Sequence, residues 1–316
     1  MGGLINDLEK FLKIAEINEG GRIALKELTA KFPRSVMDDL LGKLEKLGCI
    51  LKKKGLYLYI EHIPEVFRYR FLDLVGSSLF KRIYVFREVG STNDMAYDIC
   101  KHEGDDFILV AASQTAGRGR QGRVWYSPEG GLWFTLAVKR STLGGFGTAA
   151  LNMALALCAA KSIEKVCPRV RISIKWPNDI MIGNKKTGGI LIEDRRSIKH
   201  LICGIGINTG VSRFPKKLNA VSVNREAKGC KADNVRILKQ FIRNFEKMLR
   251  DRTVTESMRS EWSRRSVMKG RIVTVRRGVR TASGRLSGFS PDGGMLLRTS
   301  RGAIEKVLSG EVISYE

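Results

Sequence analysis

Histidine is scarce in this chain of 316 residues, with His62, His102 and His200 the only three. None belongs to a Ser-His or Cys-His arrangement, so a side-chain nucleophile activated by imidazole is not expected. The six cysteines (Cys49, Cys100, Cys158, Cys167, Cys203 and Cys230) are scattered, and no CxxC pair occurs. A disulfide framework is not needed at this length, so reduced, mostly buried thiols in a cytoplasmic protein are expected. No run of about 18 apolar residues is present, so no membrane span is expected. The first residues carry acids within an apolar periodicity, without a basic start or a small-residue cleavage site, so no signal peptide is expected. Internal repeats and low-complexity tracts are absent. Acids are also in short supply. Asp and Glu number 32 against 56 Lys and Arg, a net charge of +24. Such an excess points to an anionic partner, whether nucleic acid, nucleotide or acidic protein. A generally basic proteome is the alternative.

What is present divides into three textures, giving an α+β chain with units at 1–65, 66–265 and 266–316. The first unit reads as three helices and a hairpin. Leu4, Leu8, Phe11, Leu12, Ile14 and Ala15 follow helical spacing, and IALKELTAKF suggests a second helix. SVMDDLLGKLEKLG forms a third, with Ser35 as N-cap and Gly48 as C-cap. Two short strands then flank a turn at Lys52-Lys53-Lys54-Gly55. This order resembles a winged helix-turn-helix with the third helix as reader. The second unit alternates strands (YVFREV, DFILVAAS, GLWFTLAV, VRISIKW, GGILIED, HLICGIGIN) with helices GTAALNMALALCAAKSIEKVC and NVRILKQFIRNFEKMLRD, a mixed-sheet domain. The third is a series of short strands with Gly-containing turns, which suggests a small β-barrel.

Four segments carry chemistry. In SQTAGRGRQGRVW, Gly117, Gly119 and Gly122 satisfy G-x-G-x-x-G, but RVWYSPEGG follows instead of the helix a dinucleotide fold requires. Arg118, Arg120 and Arg123 interleave with these glycines. Close backbone approach combined with permanently charged forks suits phosphate or carboxylate. Trp125 follows, either a platform for a purine ring or ordinary core. In KWPNDIMIGNKKTGGILIED, Pro177-Asn178-Asp179 ends a strand and turns, and Lys185 and Lys186 precede Thr187-Gly188-Gly189. These lysines either point into a site or are simply solvated. Gly204-Ile205-Gly206-Ile207-Asn208 is an apolar strand with open positions and a terminal amide. Ser91-Thr92-Asn93 places small polar groups at a strand end.

In this order and at these separations, GRGRQGRVW, KWPND, KKTGGILIE and GIGIN resemble the biotin–protein ligases. The resemblance covers nearly the whole chain. The N-terminal segment is similar to the extra domain of bifunctional ligase–repressors, and LSGEVISY to the family's SH3-like barrel. The resemblance implies ATP-dependent activation of biotin to biotinyl-5'-AMP and transfer to an acceptor lysine, with Mg²⁺ and no tightly bound prosthetic group. It also implies that Ser91, Thr92, Asn93 and Gln114 hydrogen-bond the biotin rings. Gly117 and Arg118 would contact the biotin carboxylate, and Gly189 and Gly206 would line the pocket. Lys186 would lie between that carboxylate and the α-phosphate, the catalytic position shared with Arg118 and Asp179. Arg120 and Arg123 would belong to a loop closing over the adenylate. Trp125 and Asn208 would meet adenine, while Lys175, Asn178 and Asp179 would serve the phosphates and Mg²⁺. The family often continues GIGIN with an apolar residue and a second Asn, where this chain has Thr209 and Gly210.

A biotin carboxyl carrier domain is the implied acceptor, and a homodimer through the central sheet the implied assembly. Lipoate–protein ligase and a DNA-binding regulator that merely senses ligand are the rival readings. Residues 1–65 hold eleven basic and ten acidic side chains, so the proposed DNA-binding unit carries almost none of the net charge. Asp38, Asp39 and Glu45 on its reader helix suit phosphates poorly, whereas Arg34 and Lys52 to Lys54 suit them well.

Overall fold

The computed structural model describes residues 21–46, 50–62, 77–80, 82–227, 229–251 and 255–316, together with Phe11 and Ile14. In the N-terminal unit these give β1 (Arg22–Ala24), α1 (Leu25–Thr29), α2 (Arg34–Lys46), β2 (Ile50–Lys54) and β3 (Tyr57–His62). The strands form an antiparallel sheet in the order β1-β3-β2. The expected first helix and the Gly48 cap lie outside the described residues. Ser35 is not the N-cap, because α2 already includes Arg34 and starts directly after Pro33. Proline suits such a start, having no N–H to leave unsatisfied. Lys52, Lys53 and Lys54 lie in β2 rather than in the turn. The reversal falls at Gly55, whose φ of 58° is a conformation glycine adopts without Cβ strain.

The middle of the chain adds β4 (Arg82–Val89), α3 (Thr92–Cys100), β5 (Phe107–Gln114), β6 (Leu132–Lys139), α4 (Thr148–Val166), β7 (Ser173–Lys175), β8 (Asp179–Ile182), β9 (Lys185–Glu193), β10 (His200–Ile207), α5 (Val223–Glu226), α6 (Asn234–Asp251) and α7 (Glu256–Arg265). Seven strands form one mixed sheet in the order β4-β5-β6-β10-β9-β8-β7, in which only β4 and β5 pair in parallel. Period-two alternation assigns each strand's faces. Ile108 and Val110 of β5 join the large core under α4 and α6, while Phe107 and Leu109 join a smaller core with Ala96 and Cys100 of α3. The α6 sequence buries Ile237, Leu238, Phe241, Ile242, Phe245 and Met248, a stripe at helical spacing. Its first turn is capped by Asp233 Oδ1, which accepts from the Val235 and Arg236 amides at 3.0 Å. Phe134 of β6 meets Phe241 edge-on at 5.1 Å. Full burial of such a ring contributes about 1.5–3 kcal/mol. The thiols of Cys158 and Cys203 are buried in the same core, and burial pushes both up to about 12. No helix among the described residues is long and apolar enough to cross a membrane.

The last unit contains β11 (Ile272–Arg277), β12 (Arg280–Phe289), β13 (Met295–Arg298), β14 (Ile304–Val307) and β15 (Glu311–Tyr315). They form an antiparallel sheet in the order β14-β13-β12-β11-β15. The expected barrel is not closed. β14 and β15 are opposite edges of the sheet, and the chain passes from one to the other through Leu308–Gly310 without pairing them.

An ion-pair cluster joins α4 to α7, just ahead of this sheet. Arg265 grips Glu164 with two bonds of 2.8 Å, and Arg265 Nε donates to Glu261 at 3.1 Å. Glu164 also accepts the Ile172 amide at 2.9 Å. Burial acts to raise the Glu164 pKa, but the Arg265 and Ile172 bonds outweigh it and hold the carboxyl below its ordinary value of 4.5. A depressed carboxylate stabilises the fold above its unfolded-state pKa, and that contribution is lost as pH falls through the lowered one. Glu164→Gln should therefore cost about 3 kcal/mol at neutral pH. The gap to the parent should narrow in urea unfolding below pH 4.5; a gap independent of pH would contradict the electrostatic account.

Candidate active site

One face of the sheet, the glycine-rich loop and the edge of the C-terminal sheet enclose a cavity of about 310 Å³. Every residue to which the family resemblance assigns a role lines it except Gly117, whereas Gly122 and Lys185 do not line it. Gly117 packs behind the wall, where a Cβ would meet the Trp125 carbonyl at 2.5 Å.

The floor is made by two strands with facing glycines. Gly206 of β10 pairs with Gly189 of β9. The Trp125 indole lies on them, so that a Cβ at Gly206 would come within 2.5 Å of its Nε1. That indole N–H is buried without a hydrogen-bond partner. Gly189 also stands opposite Asp179 in the β8–β9 pairing, and its missing side chain leaves room for Lys186. The Lys186 ammonium thus reaches Asp179 Oδ1 at 2.6 Å and lies 4.9 Å from the Trp125 ring centre. Asn178 Nδ2 donates to the Ile190 carbonyl at 2.8 Å, which fixes the turn before β8. Asn208 is buried at the end of β10, its Nδ2 3.4 Å from the Lys186 carbonyl and its own carbonyl accepting from the Val223 amide at 2.7 Å. The Thr209-Gly210 departure has a packing reason. Gly210 N donates to the Gly130 carbonyl at 2.7 Å, and a Cβ at Gly210 would crowd that oxygen at 3.0 Å.

The opposite end is a hydrogen-bonded wall at the start of α3. Gln114 Oε1 accepts from the Thr92 amide at 2.8 Å and the Thr92 hydroxyl at 3.0 Å, and Gln114 Nε2 donates to Ser127 at 2.8 Å. Asn93 donates to Glu193 at 2.8 Å and accepts from Thr135 at 2.8 Å. Gly204 makes room for it, since a Cβ there would meet Asn93 Oδ1 at 2.3 Å. Ser91 is buried at the N-cap position of α3, with no capping bond from its side chain.

The loop arginines go to different partners. Arg118 pairs with Asp94 at 2.6 Å and Glu193 at 3.2 Å. Arg120 Nη2 donates to the Gly310 carbonyl at 3.1 Å, and Nη1 lies 3.5 Å from Asn178 Oδ1. Burial pushes the Arg120 guanidinium down from its ordinary value, and the Asp179 charge opposes that. Arg123 donates to Gln121 at 2.7 Å and pairs with Glu311. Glu311 also pairs with Arg276 at 2.6 Å, and Arg276 first, then Arg123, hold its carboxyl below the usual range. Lys175 lies with its ammonium 5.3 Å from the centre of the Tyr315 ring. The C-terminal sheet is therefore part of the site through Gly310, Glu311 and Val312. Sequence reasoning assigned no role to Asp94, Glu193 or Glu311. Glu193 closes the KKTGGILIE segment, and Glu311 lies in LSGEVISY, so both were quoted without a partner to reveal their use.

Comparison with known proteins identifies the chain's relatives. Residues 86–208 match the Biotin/lipoate A/B protein ligase family, and residues 270–314 match the Biotin protein ligase C terminal domain. The bifunctional ligase/repressor BirA of Bacillus subtilis (strain 168) is 32% identical over 234 residues, 71% of this chain and 71% of that protein. A biotin–[acetyl-CoA-carboxylase] ligase of Paracoccus denitrificans is 30% identical, over 67% of this chain and 92% of its own length. The solved biotin protein ligase from Aquifex aeolicus in complex with biotin and ATP superposes with a TM-score of 0.65 at 29% identity, over 75% of this chain and 99% of that one. With its motifs gathered in one cavity and this extent of likeness to curated ligases, the chain belongs to the biotin protein ligases of the biotin/lipoate A/B protein ligase family.

Proposed function

We propose that this chain couples biotin to a lysine of an acceptor protein, a biotin carboxyl carrier domain, in two steps at one site. The observation that carries this is the Lys186 ammonium in the cavity, 2.6 Å from Asp179 and beside the Trp125 ring. In the first step a biotin carboxylate oxygen attacks the α-phosphorus of ATP. The bond to the bridging oxygen breaks, and pyrophosphate leaves with its electron pair. Two anions must meet, and Lys186 and Arg118 reduce their repulsion because they are positioned before the reaction begins. Arg120, Lys175 and Arg123 lie where they would receive the phosphates. Trp125 and Asn208 would hold adenine, while Ser91, Thr92, Asn93 and Gln114 face the biotin rings, with Gly189 and Gly206 leaving the floor open.

No group of three or more His, Cys, Asp or Glu side chains suited to a metal occurs among the described residues. The single carboxylate of Asp179 fits Mg²⁺ nonetheless, because that ion is held largely by substrate phosphates and water. When bound, it would neutralise charge on the departing pyrophosphate. In the second step the neutral acceptor amine attacks the acyl carbon, the carbon–oxygen bond to the phosphate breaks, AMP leaves with that electron pair, and the amine gives up one proton to solvent.

Biotin should support exchange of labelled pyrophosphate into ATP, and lipoate should not. Lys186→Ala should lose exchange by about 10²-fold or more while keeping the fold, the scale for loss of an electrostatic stabiliser. Exchange with lipoate alone would move the chain to the lipoate branch. Near-normal exchange in the variant would remove Lys186 from the chemistry.

A second reading adds DNA binding. It is supported by α1, α2 and the β2–β3 hairpin, which match parts of a winged helix-turn-helix, and by Lys52, Lys53 and Lys54 exposed on the hairpin. The division at 65/66 and 265/266 and a cytoplasmic setting belong to the same proposal. So does a homodimer through the central sheet, where β4 is an edge strand. The protein should shift DNA from its own biotin-operon promoter when biotin and ATP are present, and salt should weaken the complex. Absent or salt-insensitive binding would remove the repressor role, and a monomer in sedimentation with both ligands would remove the dimer.

A further inference from the structure

Two guanidinium groups and two carboxylates close a ring beside the pocket. Arg118 Nη2 donates to Asp94 Oδ1 at 2.6 Å and to both Glu193 oxygens at 3.2 Å. Arg195 Nη2 donates to the same Asp94 oxygen at 2.7 Å and to Glu193 Oε1 at 3.1 Å. The four residues come from four places: the glycine-rich loop, the first turn of α3, the end of β9 and the turn that follows it.

Three of the four are anchored without Arg118. Asp94 belongs to a helix already begun. Glu193 Oε2 accepts from the buried Asn93 at 2.8 Å. Arg195 lies over the Tyr97 ring, its guanidinium carbon 4.3 Å from the ring centre, and the Tyr97 hydroxyl meets Ser197 at 3.0 Å. Arg118 alone rides on the loop. The ring is therefore the loop's tether on this side of the pocket, while Arg120 and Arg123 tether its other side to Gly310 and Glu311.

The charges of the ring balance when Arg118 is in place. Without it, two carboxylates share one cation, so departure of the loop has an electrostatic cost. That cost is modest, because the Arg118 side chain is 37% exposed and Asp94 47% exposed, and water screens the pair. A contact that closes readily and still reopens is what a gating loop requires.

We propose that Asp94, Glu193 and Arg195 are positioning residues that clasp Arg118 and hold the Gly117–Arg123 loop shut over the adenylate until the acceptor lysine arrives. This rests on the biotin-ligase reading above. A shut loop keeps water from the mixed anhydride. With the clasp broken, biotinyl-AMP escapes and hydrolyses to biotin and AMP, so pyrophosphate is made without matching transfer.

The test uses the full chain with biotin, ATP and a purified biotin carrier domain. It measures pyrophosphate released per lysine biotinylated, with biotin-dependent pyrophosphate exchange and melting temperature in parallel. In Asp94→Asn and Arg195→Met, exchange and melting temperature should stay near the parent's. The ratio should rise about fivefold, the scale of a partly exposed ion pair. Asp94→Glu should restore the ratio, and the double variant should be no leakier than either single one, because both act through one clasp. An unchanged ratio in both single variants with exchange intact would overturn the clasp and leave the ligase reading standing. No biotin-dependent exchange in the parent would overturn the ligase reading itself.

Discussion

The ion pair between Lys186 and Asp179 is the contact on which the site depends. Several cations must face one small volume if two anions are to react there. Two like unit charges 4 Å apart repel by about 4 kcal/mol at an effective dielectric of 20. The fold withstands that crowding by giving each cation an acid, a carbonyl or an aromatic face. Lys186 has Asp179 and Trp125, Arg120 has the Gly310 carbonyl, Arg123 has Glu311, and Lys175 has Tyr315. The Lys186 contact in turn rests on Gly189, because a Cβ there would sit 3.3 Å from the lysine stem. A backbone choice made for space thus sets where the charge stands.

The glycine-rich loop is held from both sides by parts of the chain distant in sequence. Arg123 reaches Glu311 across 188 positions, and Arg118 reaches Glu193 across 75. The small C-terminal sheet is therefore a wall of the candidate site rather than an appendage. The Glu164–Arg265 cluster fastens the segment leading into that sheet to α4, so core packing and site geometry share one mechanical path.

Apolar patterning made much of this fold readable. Short apolar runs marked β5 and β6, whose faces pack against different helices, and a long apolar segment and an amphipathic one marked α4 and α6 at nearly their full extent. Among the elements the sequence did not reveal, two have identifiable reasons. α3 begins at Thr92, where small polar residues read as a strand end, and of its hydrophobic side chains only Ala96 and Cys100 are buried. β8 is four residues long and follows directly on the Pro177-Asn178 turn, too short for a pattern to emerge. In the C-terminal unit the strands were legible and their closure was not, because edge pairing is decided by where the Leu308–Gly310 link carries the chain. The site followed the same division. The motifs show which charges and glycines exist, and the fold supplies their partners. The open positions at Gly204 and Gly206 look like space for a ligand, yet they first seat Asn93 and Trp125.

The placing of Trp125 gives the molecule a built-in optical probe. Trp133 and Trp262 are both 0% exposed in the core, and Trp176, 3% exposed, lies in the wall of the cavity. Of the four tryptophans, only Trp125 rides on the loop segment and rests on the pocket floor. Its emission therefore responds to whatever enters the cavity.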